Sequence, residues 1–411
     1  MADQNPLRLA VSPRMREHMS YDKFAGGAPR ILVLEGQYWL DAACINAARQ
    51  MRWEVRAVPV AFEGALSRDS VAALLEALMT FRPDFVLTVN LGAMDENGLF
   101  ARLFEDLQVP YVTWFVDNPR TIIMGRTLYA SSYSVAATWD EAYIPYLRSA
   151  GFPRVEWLPL AADTSVFNAE PLETCDLPPT FVGNSMFEPA QDHWRLIRKR
   201  PDIAEAIERA FSEGRVTRDN FRQGIETMLP PEILARMDEH ERRLAEMVFF
   251  MEGTHRLRRD LIGRLAPEGI RVRGDEAWAH LYPNDTAPIF EGSINYRQGL
   301  PSLYRRCEIN LNSTSIQMPT AVNQRVFDCP AAGGFLLTDA QTALRDLFDV
   351  ETEVAWYHSV DDCVQSLRWY RERPRARYEI ARRARKRILA EHTYTHRLTK
   401  LLAILRDRFA G

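Results

Sequence analysis

The chain lacks any cysteine pair at metal or redox spacing, any apolar run long enough to cross a bilayer, and any glycine-rich loop after its first strand. Its five cysteines, Cys44, Cys175, Cys307, Cys329 and Cys363, are scattered and odd in number. That pattern fits free thiols in a reducing compartment better than a disulfide scaffold or a zinc site. The opening Met-Ala-Asp-Gln-Asn-Pro has no charged region followed by an apolar run, so no secretory signal is expected. With no stretch of spanning length, the expectation is a cytoplasmic protein without an integral membrane segment. A formal net charge of −4 argues against a nucleic-acid partner. No Gly-x-Gly-x-x-Gly follows residues 31–34, which removes the fingerprint of a dinucleotide-dependent dehydrogenase. His193, His240 and His255 are not spaced as His-x-x-x-His, so they are expected to be solvated or capping residues rather than metal ligands.

What is present is an alternation of short apolar runs and amphipathic segments. A length of 411 residues suggests two domains, each with its own core. Residues 1–28 read as an N-terminal extension ending in Gly26-Gly27-Ala28-Pro29. Residues 31–34, all apolar, read as a central parallel strand buried on both faces. Further strands are expected at 55–60, 85–89, 111–116 and 133–137, with helices between them, notably 67–81 with Val71, Leu74, Leu75 and Leu78 on one stripe. This spacing predicts a doubly wound parallel sheet over residues 29–165. Asp140 reads as the N-cap of the helix that follows it. Pro171, Pro178 and Pro179 mark a linker, and residues 180–184 open a second sheet within residues 176–390. Residues 187–265 carry no convincing strand and read as a helical elaboration. The arginine-dense stretch 371–387 also contains Glu372, Glu379 and an apolar stripe, so it reads as a solvated helix face.

The second half is organised around residues 307–339. Residues 309–312 read as a buried strand end, 324–332 as a short helix stopped by Gly333 and Gly334, and 335–338 as the next buried strand. Pro330 inside that helix predicts a late start or a kink. Arg325 and Asp328, three apart, fall on one helical face where open α/β sheets bind ligands. A guanidinium can clamp a diphosphate at two points, and a carboxylate can accept from ribose hydroxyls. Taken alone, the strand-glycine Gly183 reads as a tight strand-to-helix turn; beside residues 307–339, Gly183 and Asn184 become the place where backbone amides would approach a phosphate. At the exit of the fourth strand, Asp117 reads either as a group that orients or deprotonates an acceptor hydroxyl or as the cap of the next turn.

The run Arg325-Val326-Phe327, then Gly333-Gly334, then Thr338-Asp339 resembles the donor-binding segment of GT-B glycosyltransferases, more narrowly the CgeB-like (spore-maturation-protein-like) branch. Asp328 stands where most relatives have Glu. Trp114-x-x-Asp117-x-Pro119, Val272-Arg273-Gly274-Asp275 with Trp278, and His392-Thr393-Tyr394-x-x-Arg397 are similar to motifs of the same branch. Leu158-Pro159-x-Ala161-x-Asp163 with Phe167 resembles the segment that in GT-B enzymes generally precedes the crossover between domains.

The resemblance implies an α/β GT-B fold: two Rossmann-like domains facing a cleft, with a helical insertion at about 187–265 and a C-terminal segment, 391–411, packing back on the first domain. His392 and Arg397 are then mainly structural. It implies transfer of a sugar from a nucleotide-sugar to an acceptor hydroxyl or amine, the acceptor being a glycan, protein or small molecule. Arg325, Asp328, Gly183, Asn184, Thr314, Gly333 and Gly334 would bind the donor. Glu35, Asn90 and Asn118 would stand on the acceptor side, and Asp117 would be catalytic. No Asp-x-Asp triplet occurs in the chain, in keeping with metal-independent transfer and no cofactor beyond the nucleotide-sugar co-substrate. A non-catalytic binding or assembly protein of the same fold stays open as an alternative, as does a nucleotide-sugar epimerase at lower weight.

Overall fold

A computed structural model describes residues 9–36, 38–59, 67–95, 97–124, 128, 130–283 and 287–410. The chain divides into two compact units: everything up to Pro159 together with the residues from Tyr394 onward, and Leu160–Thr393.

The first unit is built on a six-stranded parallel sheet of order β2-β1-β3-β4-β5-β6. Its strands are β1 (Arg30–Glu35), β2 (Glu54–Pro59), β3 (Phe85–Val89), β4 (Tyr111–Phe115), β5 (Ser134–Thr138) and β6 (Val155–Trp157). Val60, expected at the end of β2, lies outside the described residues. β3, β4 and β5 are buried at every position, Thr88, Thr113, Ser134 and Thr138 included, which is why they read as mostly apolar runs without alternation. The helices are α1 (Pro13–Met19), α2 (Trp39–Gln50), α3 (Arg68–Phe81), α4 (Leu99–Asp106), α5 (Pro119–Ile123) and α6 (Ile144–Ser149). Ser67 caps α3 by accepting from Ser70 N, and Asp140 accepts from Ala142 N at 2.9 Å to cap the turn before α6. The described part of the N-terminal extension belongs to this unit: Met19 joins the core, and Phe24 N and Arg30 N both donate to the Asp84 carboxylate. The C-terminal helix Tyr394–Phe409 buries Tyr394, Leu398, Leu401, Leu402 and Leu405 in the same unit.

The second unit carries another parallel sheet, of order β12-β11-β10-β7-β8-β9. Its strands are β7 (Thr180–Val182), β8 (Arg271–Arg273), β9 (Ile289–Phe290), β10 (Asn310–Leu311), β11 (Leu336–Asp339) and β12 (Ala355–Tyr357). Between β7 and β8 the chain makes α7 (Phe187–Ile197), α8 (Pro201–Ser212), α9 (Arg218–Gln223), α10 (Pro231–Leu234) and α11 (Glu239–Leu265). At about 1.5 Å per residue, α11 runs roughly 40 Å. It starts in a capping box made by Asp238 and Glu241. Its first half packs in a core around Trp194, Ile207, Phe221, Met228 and Phe249, which Ile316 of the chain after β10 also joins. Its last turns place Leu261, Ile262 and Leu265 in the sheet core with Phe181, Val272, Ile309 and Leu337. After β9 come α12 (Leu300–Arg306), α13 (Arg325–Ala331), α14 (Leu344–Leu347), α15 (Val360–Arg371) and α16 (Pro374–Glu391). Among the described residues no helix is long and apolar enough to cross a membrane.

Two differences from the sequence reading have physical causes. Leu160–Asp163 groups with the second unit because Ala161 O accepts from Gln324 Nε2 and Ala162 N donates to His392 O. His255 is buried rather than solvated, with Nδ1 3.0 Å from Ser185 O.

Candidate functional site

In parallel α/β sheets ligands bind beyond the carboxyl ends of the strands. In the second unit those ends are residues 183–186 after β7, 274–275 after β8, 312–318 after β10, the start of α13, and Asp339 at the end of β11. Two arginines meet there. Arg325 opens α13; its Nη1 bonds Asn312 Oδ1, and its guanidinium carbon lies 5.8 Å from the centre of the Phe181 ring. Asn312 is itself held, donating to Thr338 Oγ1 at 2.8 Å and accepting from Asn323 Nδ2 at 2.8 Å. Arg258 comes from α11 and is buried; its Nη1 donates to Asn184 O at 2.6 Å. Burial first, and then the nearby charge of Arg325, hold its acidity constant down at about 9, so it is still a cation at neutral pH. Among the described residues neither guanidinium has a carboxylate at ion-pair distance, and the Nε of each is buried without a hydrogen-bond partner. Asp339 and Asp275 lie near Arg258, but Asp339 is paired with Arg218 at 2.8 Å and Asp275 accepts from Ser185 N at 2.7 Å. Two like charges side by side, one buried and one half-buried, are costly. At the ligand end of a sheet they suit an anion.

Gly183 is what lets Arg325 in. A Cβ on it would stand 3.3 Å from Arg325 Nη2 and 3.0 Å from the Phe181 ring. Its amide, however, is bonded to Arg273 O at 2.8 Å and its carbonyl to Trp278 Nε1 at 2.8 Å. Gly183 therefore makes room for a cation and does not offer its N–H to a phosphate. Asn184 is exposed at the same turn.

Several expected donor contacts are engaged elsewhere. Asp328 is 1% exposed; Oδ2 accepts from the Tyr296 hydroxyl at 2.5 Å and Oδ1 from Gln324 Nε2 at 2.8 Å. The backbone N–H of Asp163 also donates to it, and burial pushes its acidity constant up to about 8. The short aspartate arm is drawn into this internal network, with a bond to each of its oxygens. Thr314 turns both its amide and its hydroxyl onto Asp339 Oδ1, at 2.9 and 2.8 Å. Gly333, at φ +80°, and Gly334 donate their amides to Pro330 O and Cys329 O. A Cβ at either would lie within 2.7 Å of backbone atoms, of Glu170 and of Tyr304 respectively. Both glycines serve close packing at the end of α13, which starts at Arg325, one residue later than expected, and keeps Pro330 inside it.

In the first unit the carboxyl ends carry a separate cluster. Asn90 and Leu91 adopt left-handed φ values of +53° and +56° at the exit of β3, conformations that non-glycine residues hold only where surroundings enforce them. Asn90 Oδ1 accepts from Val116 N and Asp117 N, and its Nδ2 donates to Asp117 Oδ2 at 2.8 Å. Asn90 thus orients the Asp117 carboxylate. Asn118 caps the next turn, accepting from Arg120 N at 3.1 Å while fully buried. Glu35 stands beside Asp41, which receives Gly36 N and Tyr38 N; burial, chiefly, raises Asp41 to about 6.

The sequence reading missed Arg258, Asn312 and Asp41. One signal for the first existed: Thr254, Arg258, Leu261 and Leu265 share a stripe at helical spacing, and an arginine on a buried stripe calls for an explanation.

Residues 220–403, somewhat under half of the chain, match the family model described as Glycosyl transferase-like. No curated protein sequence matches the chain. Solved structures with the same architecture include sucrose-phosphate synthase from Thermosynechococcus elongatus, at TM-score 0.54 and 8% identity over 93% of this chain and 99% of that one. A glycosyltransferase from Rickettsia africae aligns at TM-score 0.53 and 8% identity over 93% and 99%. The Anabaena protein Alr3699/HepE aligns at TM-score 0.53 and 11% identity over 92% and 100%. At these identities the likeness is one of fold, and the fold is GT-B.

Proposed function

We propose that this glycosyltransferase of GT-B fold moves a sugar from a nucleotide-sugar donor to an acceptor hydroxyl or amine, with Arg258 and Arg325 holding the donor diphosphate in place of a metal ion. The observation that carries the reading is the pair of guanidiniums beyond β7 and β10 that, among the described residues, have no carboxylate at ion-pair distance. A diphosphate brings the missing negative charge, and as the sugar leaves its charge grows, which preorganised cations stabilise. The HepE structure is described as a complex with UDP and glucose, a ligand class that fits such a site. Asp117, oriented by Asn90, is the group we assign to the acceptor's proton. We place the chain on the CgeB-like branch on Arg325-Val326-Phe327, Gly333-Gly334 and Thr338-Asp339, and in a reducing, cytoplasmic compartment on its five free thiols.

A thermal-shift panel of nucleoside diphosphates and nucleotide-sugars tests the donor site. A ligand that binds only the folded state raises the unfolding midpoint by mass action. One nucleotide should stabilise the wild type, and Arg325→Ala and Arg258→Met should abolish the shift. Absence of any shift at millimolar ligand would remove the donor assignment.

A further inference from the structure

The helices between β7 and β8 supply Arg258, and they also grip the loop after β10 almost residue by residue. Arg258 Nη2 reaches Ser313 O at 3.4 Å. Arg218, the first residue of α9, donates to Thr314 O at 2.7 Å, Ser315 O at 2.9 Å, Met318 O at 3.2 Å and Asp339 Oδ2 at 2.8 Å. Thr254 of α11 gives its hydroxyl proton to Phe250 O at 2.8 Å. Its oxygen then accepts from Ile316 N at 3.1 Å and lies 2.9 Å from Ser315 Oγ, which is therefore the donor of that bond. At Gly253 a Cβ would stand only 3.1 Å from Ile316, so the loop lies directly against the helix.

This loop has no strand or helix of its own, and its buried carbonyls and amides must find partners. The insertion supplies them, from an apolar core that takes in Ile316 of the loop. A guanidinium bonded to three carbonyls and a carboxylate at once admits one geometry. The loop in turn leads from Asn312 toward Arg325, whose side chains are bonded to each other. We propose that Arg218 and Thr254 are positioning residues of the donor site. They touch no diphosphate; they fix residues 313–318 so that Asn312 and Arg325 meet, and the helical insertion is the scaffold of the nucleotide pocket. This rests on the reading of Arg258 and Arg325 as the diphosphate site.

The test uses the full chain, with Arg218→Lys, Thr254→Val, Thr254→Ser and Arg325→Ala. Binding of uridine, guanosine and adenosine diphosphate is titrated calorimetrically, and amide hydrogen exchange is followed without ligand. Arg325→Ala should abolish binding of whichever nucleotide the wild type takes. Arg218→Lys and Thr254→Val should each weaken it by at least about fivefold, and Thr254→Ser should return it to within about twofold, since the hydroxyl is the working group. In Thr254→Val the peptide spanning 313–318 should exchange faster while the insertion helices exchange as in wild type. Loss of binding in Arg325→Ala with wild-type binding in both Arg218→Lys and Thr254→Val would overturn the positioning role and leave the diphosphate site standing. Faster exchange throughout the insertion would also overturn it, as general destabilisation. If Arg325→Ala binds like wild type, or no nucleotide binds, the diphosphate site falls and the positioning role with it.

Discussion

Asp328 has three hydrogen-bond donors around it and almost no solvent, and the two facts pull in opposite directions. Tyr296, Gln324 and the Asp163 amide favour the ionised form, but burial outweighs them and lifts the group to about 8. The folded value therefore lies above the unfolded one, near 3.8. Between these values the native state holds a proton that the unfolded chain releases, so stability falls as pH rises through the window. The slope from this one group is at most about 1.4 kcal/mol per pH unit. Asp41, raised to about 6, adds to the fall in the lower part of the window. Thermal midpoints measured from pH 4 to 8 should decline in wild type and decline less in Asp328→Asn, which keeps the shape and loses the titration. Identical slopes would show that Asp328 does not hold its proton across that range. Arg258 poses the matching question for a cation. Its aliphatic stem is part of the packing, so Arg258→Met should keep the fold and lose the nucleotide-dependent shift, whereas loss of the fold itself would mark the residue as structural only.

At the scale of the element, α13 shows where the sequence was readable and where it was not. The helix, its glycine stop and the strand after it follow from local rules: a short apolar-faced run, then a residue at φ +80°, then a buried strand. The parallel sheets were legible for the same reason, since strands buried on both faces leave mostly apolar runs without alternation. The roles of individual side chains were not, because they depend on partners distant in the chain. Gly333 and Gly334 look alike on paper whether they face a phosphate or a carbonyl, and only Glu170 and Tyr304 decide it. Arg325 and Asp328 share a helical face, yet Tyr296 and Asp163 draw the carboxylate inward. Arg258 is 74 residues from Asn184 after β7 and 55 from Ser313 of the loop it serves, and no local pattern joins them. Packing at the glycines makes a direct prediction. A methyl at Gly334 would lie 2.5 Å from Tyr304 O and 2.7 Å from Cys329 Sγ. Gly334→Ala should destabilise by about 2–3 kcal/mol in urea titration with an unchanged slope. A change below about 0.5 kcal/mol would mean the backbone there yields easily.

Across the whole molecule the chain leaves the first unit after Pro159 and returns to it at Tyr394, so its C-terminal helix completes a unit begun hundreds of residues earlier. The return was expected from the His392-Thr393-Tyr394 motif, but what holds it is packing. Tyr394 meets Trp114 edge-on at 6.1 Å and Trp39 at 6.3 Å, and Arg397 Nε donates to Pro159 O at 2.8 Å. Leu398, Leu401, Leu402 and Leu405 are all buried. At about 1.5–3 kcal/mol for each large apolar side chain, these contacts sum to the order of 10 kcal/mol. That is comparable with the entire stability of an ordinary domain, about 5–15 kcal/mol. A chain ending at Thr393 should therefore lose the first unit's cooperative fold while the second unit, whose sheet and cores are complete without the helix, still binds nucleotide. Brief proteolysis followed by mass spectrometry distinguishes the outcomes. Early cuts should concentrate before residue 159, and a bound nucleoside diphosphate should protect the remainder. Equal resistance of the two units in the shortened chain would mean that the helix rests on the first unit without being needed to hold it together.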